Sequence, residues 1–244
     1  MAIRMTINYE KKTCYDIVFT RDFDLLLDEL QAFDIENRRA AVIADTNTAA
    51  LFGDTVKGLL EGHCKKVILH VFQAGEANKT LDTVKEIYKD LIEEQFDRKD
   101  LLIALGGGVV GDITGYAAAT YLRGIDFIQI PTTLIAQSDS SIGGKTGVDF
   151  EGYKNMVGAF YMPKLVYMNI GALKELDDRQ FYAGFAEVMK HGLIKDAAFY
   201  EWLLDNMYEI HDRDLEVLEE MIIISCSVKK LVLEKDPTEK GDRA

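Results

Sequence analysis

The sequence predicts an α/β fold, a parallel sheet covered by helices over residues 1–176, followed by the start of an all-helical domain over residues 177–244. Three observations carry this expectation. Short apolar runs alternate with segments of helical spacing between Ala40 and Ile130, the pattern of strands joined by crossover helices. The runs Ala40–Ala44 and Leu101–Leu105 have no polar alternation, as befits strands buried on both faces. Beyond about Asp177 the helical spacing continues with no strand between.

In order, Ile3–Asn8 and Tyr15–Thr20 alternate like two short strands around the polar turn at residues 9–12. Arg21–Phe33 reads as a helix with Phe23, Leu26, Leu27 and Leu30 on one side. Helices are then expected at Thr48–Leu60, Thr80–Gln95 and Ile113–Leu122, and strands at Lys66–Val71 and Ile125–Ile130. The domain linker is expected near Leu173–Asp177. Asp178–Lys195, Ala197–Ile210 and Asp214–Lys235 follow as helices, the last stopped by Pro237.

Composition narrows the function. The chain has 244 residues, 41 acidic against 28 basic, for a formal charge of −13. A nucleic-acid binder would carry a basic face, so that class is disfavoured. The three cysteines, Cys14, Cys64 and Cys226, form no CxxC pair, which argues for reduced thiols in a cytoplasmic protein. The first twelve residues lack the apolar core of a signal peptide. No run approaches the roughly 20 apolar residues of a membrane span.

The strongest local signal is Gly106-Gly107-Gly108-Val109-Val110-Gly111-Asp112, between an apolar strand and a helix. Absent side chains let backbone approach a pyrophosphate, and the helix N-terminus offers free N–H groups and a positive dipole end. The spacing departs from a strict GxGxxG, so the match to a Rossmann-like fingerprint is imperfect, and a tight turn without ligand is the alternative. Asp45 ends an early strand and could accept from ribose hydroxyls; taken alone, it reads better as a helix cap. Residues 131–149, rich in hydroxyls and glycines around Lys145, make poor core and so should line a polar site. Lys145 and Lys154 are candidate phosphate partners or merely solvated cations. Glu187, Lys190 and His191 share one helical face by their i, i+3, i+4 spacing. Glu187 and His191 could ligate a metal, though a salt-bridged helix face is the commoner origin of such spacing.

Together, GGGVVGD, YLRG, PTTLIAQSDSSIGGKTGVD, KNMVGAFYMP and GFAEVMKHGLIKD stand in the order and spacing of one family. Residues 40–244 resemble 3-dehydroquinate synthase, within a superfamily of sugar-phosphate cyclases and metal-dependent alcohol dehydrogenases. The resemblance implies a dehydroquinate synthase-like fold and a cytoplasmic homodimer. It implies conversion of 3-deoxy-D-arabino-heptulosonate 7-phosphate to 3-dehydroquinate and phosphate in the shikimate pathway of aromatic amino acid biosynthesis, with NAD and Zn2+ or Co2+ as cofactors. By position, it implies NAD contacts at Asp45, Gly75, Glu76, Lys79, Gly108, Val109, Val110, Gly111, Asp112, Thr132 and Thr133, with Lys145 and Lys154 beside the cofactor.

Asp139, Lys145, Asn155, Lys190, Lys229 and Arg243 are implied as substrate contacts. Lys145 and Asn155 would face phosphate, and Lys229 with Arg243 a carboxylate. Arg123 is implied to reach the neighbouring subunit's site. Glu187 is implied as the carboxylate metal ligand, and His191 is given no ligand role. The histidines expected after Arg243 are not among these 244 residues, so the chain as given is expected to bind NAD without turnover. The alternatives are a sibling cyclase, a polyol dehydrogenase, and an NAD-binding module without turnover.

Overall fold

The computed structural model describes residues 2–9 and 12–236. A seven-stranded sheet runs through the molecule in the order β1-β2-β9-β6-β5-β3-β4. β1 (Ile3–Tyr9) pairs antiparallel with β2 (Lys12–Thr20). The other five, β3 (Arg39–Asp45), β4 (Lys66–Phe72), β5 (Leu101–Gly106), β6 (Asp126–Pro131) and β9 (Leu165–Asn169), run parallel with β2. Every residue of β5 is buried, which is why its sequence shows no polar alternation. Each fully buried Leu or Ile there contributes roughly 1.5–3 kcal/mol.

Helices cover both faces. On one side, α1 (Leu26–Gln31) and α3 (Asp54–Leu60) bury Leu26, Leu30, Val56 and Leu60 against β3, β5 and β6. α3 is preceded by α2 (Thr46–Thr48) and a π turn, Ala49–Gly53. On the other side, α4 (Leu81–Glu93) and α5 (Gly108–Thr120) bury Val84, Ile87, Leu91, Val110, Ile113 and Ala117. Thr80 caps α4 by accepting from the Thr83 amide at 3.2 Å.

The helical segment comprises α6 (Asp178–Lys195), α7 (Ala197–Asp205), α8 (Met207–His211) and α9 (Leu215–Leu233). It shares one apolar cluster with β1, β2 and β9, where Phe185, Met221 and Cys226 meet Ile7, Ile17 and Met168. Arg213 bolts it to the preceding segment. Its guanidinium donates to the carbonyls of Leu173 and Lys174 at 3.0 and 3.2 Å and to that of Leu176, pairs with Asp178 at 2.8 Å, and lies 4.8 Å over the Phe181 ring. None of the helices is long and apolar enough to cross a membrane, among the described residues.

Several expected boundaries differ. The helix expected over Arg21–Phe33 is confined to Leu26–Gln31; before it, Asp22 accepts from the Asp24 amide at 2.9 Å and turns the chain. The single helix expected over Ala197–Ile210 breaks at Asn206, whose side-chain amide donates to the Trp202 carbonyl at 2.8 Å. α5 begins at Gly108, five residues before its expected start, so the glycines form its first turn. The sequence also left unassigned β9 and an antiparallel hairpin, β7 (Lys145–Phe150) and β8 (Tyr153–Phe160). The hairpin presses on α5: a Cβ at Gly115 would come within 2.4 Å of Thr146 Cγ2.

Candidate functional site

A cleft opens at the C-terminal ends of the parallel strands, where ligands of open α/β sheets bind. Its cavity, about 800 Å³, is lined by Asp45 at the end of β3, Gly75, Glu76 and Lys79 after β4, and Gly107 and Gly108 after β5. Thr132 and Thr133 follow β6, and Val109 and Asp112 come from the first turns of α5. Leu51, Phe52 and Ile135 add an apolar wall. Asp45 does cap a helix, accepting from the Thr48 amide at 2.8 Å, and it still faces the cavity. α5 begins at Gly108, beside this cavity, and the amides of a helix's first turn, lacking a helical acceptor, make such a start an anion seat.

The narrowness of this corner explains its glycines. A Cβ at Gly107 would meet Thr133 Cγ2 at 3.0 Å, and one at Gly108 would meet Ser140 Oγ at 3.0 Å. Val110 and Gly111 serve the helix rather than the wall. Val110 is fully buried in the core, and a Cβ at Gly111 would strike Gln129 Oε1 at 2.8 Å.

A second cavity, about 560 Å³, adjoins the first and shares Asp112, Asp139 and Ser140 with it. Lys145, Thr146 and Asn155 of the hairpin line it, with Met156 and Phe160 and, from α9, Lys229. Asp139 is delivered by the π turn Ala136–Ser140. That turn is fixed by the buried Gln137, whose side-chain amide donates to the carbonyls of Pro131 and Asn169 at 3.0 and 2.8 Å. The Cys226 thiol of α9 donates to the Gln137 carbonyl at 3.4 Å. Lys229 pairs with the Asp139 carboxylate and also donates to its carbonyl. Burial pushes the Asp139 carboxyl upward, but Lys229, aided by His191 and Lys190, more than offsets this and holds it below the usual range. Asp112 goes the other way: burial raises it, and Lys79 offsets only part of the rise.

Beside Asp139 stand Glu187 and His191 of α6. One ligand atom from each of the three lies within 4.8 Å of the others. The Glu187–His191 pair expected from helical spacing is real, with Nε2 to Oε1 at 3.8 Å. Lys190 pairs with Glu187. Burial is the main cause lowering the His191 imidazole below its ordinary value, and Ser225 Oγ of α9 bonds its Nδ1 at 2.7 Å. Two carboxylates and an imidazole are donors that zinc or cobalt accepts. Ser225 had escaped the sequence reading, though it is a lone hydroxyl in the apolar stripe Leu218, Met221, Ile222.

The remaining expected residues lie apart from this cluster. Lys154 is exposed and pairs with Glu76 at 3.0 Å, so it stands next to the first cavity without lining it. Arg123 is exposed in the turn after α5, with φ +69°. Arg243 lies outside the described residues.

A glycine-floored cleft at parallel strand ends, joined to a lysine-lined cavity beside a carboxylate–imidazole cluster, defines a nucleotide-cleft α/β protein with a helical flank. Residues 69–183 match the model of the 3-dehydroquinate synthase N-terminal region, and residues 184–244 that of its C-terminal region. The 3-dehydroquinate synthase of Acetivibrio thermocellus is 47% identical over 242 residues, which is 99% of this chain and 67% of that protein. The chain therefore belongs to the 3-dehydroquinate synthase family, and it spans about two thirds of the length of the relatives it matches.

Among solved structures it resembles 2-deoxy-scyllo-inosose synthase complexed with carbaglucose-6-phosphate, NAD+ and Co2+, at a TM-score of 0.88 and 28% identity, covering 99% of this chain and 65% of that one. It also resembles 2-epi-5-epi-valiolone synthase of Streptomyces hygroscopicus subsp. jinggangensis with NAD+ and Zn2+ bound. There the TM-score is 0.85 and the identity 29%, covering 97% of this chain and 66% of that one.

Proposed function

We propose that the chain carries the cofactor half and part of the substrate site of a 3-dehydroquinate synthase. The carrying observation is the pair of adjoining cavities sharing Asp112, Asp139 and Ser140. Such adjacency sets a dinucleotide's reactive end beside a small anionic substrate. NAD would lie across the strand ends with its pyrophosphate over Gly108–Asp112 and its ribose near Asp45, and when bound it supplies a reversible hydride acceptor. A zinc or cobalt ion would be held by Glu187, with His191 and Asp139 as neighbouring donors, and it supplies a Lewis acid toward a substrate hydroxyl.

The chain's own residues then have definite tasks. Lys145 and Asn155 hold the phosphate of a heptulosonate phosphate and steady its charge as it leaves. Lys229 faces the substrate carboxylate once that group displaces Asp139 from it. Leu51, Phe52 and Ile135 exclude water from the cofactor. Residues 1–176 act as the NAD unit and 177–244 as part of the metal and substrate unit. Arg123, exposed and with no ion pair among the described residues, reaches a second copy's site in a homodimer. The setting of such a biosynthetic enzyme is the cytosol.

The sibling-cyclase reading draws on the high TM-scores above. Identity of 28–29% to those enzymes against 47% to the A. thermocellus synthase favours the synthase.

These 244 residues alone should bind NAD without turnover. Both carboxylates of the metal cluster are already held by ammonium groups, and the histidines the family places after Arg243 are not in this sequence. Joining the segment that follows in the A. thermocellus relative after Ala244 should restore phosphate release from the heptulosonate phosphate, with no net NADH. A joined chain that binds NAD yet releases no phosphate would overturn the synthase reading. Net NADH from a polyol would favour the dehydrogenase reading instead.

A further inference from the structure

We propose that Lys79 is a positioning residue that ties the cofactor cavity to the substrate hairpin, so that occupants of the two cavities strengthen each other's binding. This rests on the two-cavity reading above. Lys79 follows the short helix Glu76–Asn78 and is only 4% exposed. A buried ammonium is tolerated only when its protons are bonded. Two of its bonds lead to different walls. Nζ pairs with Asp112 Oδ2 at 2.6 Å, on α5, and donates to Asn155 Oδ1 at 2.5 Å, on the hairpin.

Its backbone grips the hairpin as well: the Lys79 carbonyl accepts from the Asp149 amide at 2.8 Å. Asp149 Oδ1 in turn accepts from the Asn155 amide at 2.8 Å. Asn155 stands at φ +56°, a left-handed conformation that Asn adopts more readily than most residues and that its surroundings here keep in place. Lys79 and Asp149 are what hold it. Next to them, Lys154 of the hairpin pairs with Glu76 at 3.0 Å.

The consequence is thermodynamic. Lys79 and Asp112 line the first cavity, while Asp112 and Asn155 line the second. A ligand in either cavity orders its own end of this strut, and ordering it once lowers the cost for the second ligand. The coupling is reciprocal. Lys79 itself does not line the second cavity, so removing it leaves the direct anion contacts standing.

The test is calorimetric titration of NAD into the 244-residue chain, without and with saturating inorganic phosphate as probe of the second cavity, phosphate occupancy being followed by phosphorus NMR. In the unaltered chain, phosphate should tighten NAD about fivefold or more. Lys79→Met should weaken NAD itself and reduce the phosphate effect to none, with phosphate still bound. Asp149→Ala removes the acceptor that fixes the Asn155 backbone, touches neither cavity and keeps the Lys79–Asp112 pair. It should hold NAD within about twofold of the unaltered chain, also without coupling, and it carries the test should Lys79→Met fail to fold. Bound phosphate that tightens NAD equally in the variants, or not at all in the unaltered chain, overturns the strut. A flat phosphate titration of the unaltered chain instead overturns the anion-cavity reading, and the strut with it.

Discussion

Gly108→Val separates binding from folding at the cofactor cleft. Gly108 opens α5, and a Cβ there would stand 3.0 Å from Ser140 Oγ and 3.6 Å from Ser140 Cβ. Only one side chain is approached, so the fold should survive. Replacing a helical glycine contributes up to about 1 kcal/mol in propensity, somewhat less for a β-branched residue, against that modest crowding. Net stability should therefore change by less than about 1 kcal/mol. Binding should suffer far more. A valine projects into the cavity where the first-turn amides meet the pyrophosphate. Each charge-assisted bond lost is worth about 1.5–3 kcal/mol, so losing two costs about 3–6 kcal/mol. The NAD Kd should rise by about two to four powers of ten. Calorimetry gives the Kd and thermal unfolding the control; an unchanged Kd with unchanged Tm would refute the placement of the pyrophosphate on α5.

Because Lys229 holds the Asp139 carboxyl below its ordinary value despite burial, the pair's stabilisation is full above the unfolded carboxylate range and fades as pH falls below about 5 through the lowered folded value. Asp139→Asn should accordingly flatten the fall of Tm over that window, and an unchanged slope would contradict the pairing. Zinc must displace Lys190 and Lys229 to reach Glu187 and Asp139, so calorimetry on the 244-residue chain should give affinity weaker than micromolar, tightened by Lys190→Ala. Micromolar or tighter zinc in the unaltered chain would contradict this. Arg123→Ala should leave the unfolding free energy within about 0.5 kcal/mol, as expected of an exposed side chain with the proposed role at a second copy. A structure with Arg123 packed on its own chain in every copy would refute that role.

The parts of the fold legible in the sequence are those with strong periodicity or none at all. β3 and β5 read correctly because burial on both faces removed every polar residue from their interiors, and α6 and α9 because their caps, Asp177 and Asp214, precede long periodic stretches. The hairpin was invisible for a physical reason. Gly147 and Gly158 face each other so closely that a Cβ on Gly158 would lie 2.2 Å from the Thr146 carbonyl oxygen. That packing demands small residues and erases the alternation by which strands are recognised. β9 is as buried as β5, but it leads into a 3-10 turn, Ile170–Glu175, rather than a crossover helix, so the strand–helix rhythm did not mark it. At the site, the glycine turn and the Glu187–His191 spacing were local and legible. The approach of Asp139 to Glu187, of Ser225 to His191 and of Lys79 to Asn155 joins residues 34 to 76 apart, and no local pattern encodes such pairs.

Nuclear Overhauser contacts between NAD protons and assigned methyl groups of the 244-residue chain distinguish the glycine-floored cavity, the NAD seat, from the hairpin cavity beside it. Contacts are expected to Leu51, Val109, Thr133 and Ile135, which line the first cavity, and none to Met156, which lines only the second. Contacts to Met156 with none to Leu51 or Val109 would contradict that seat.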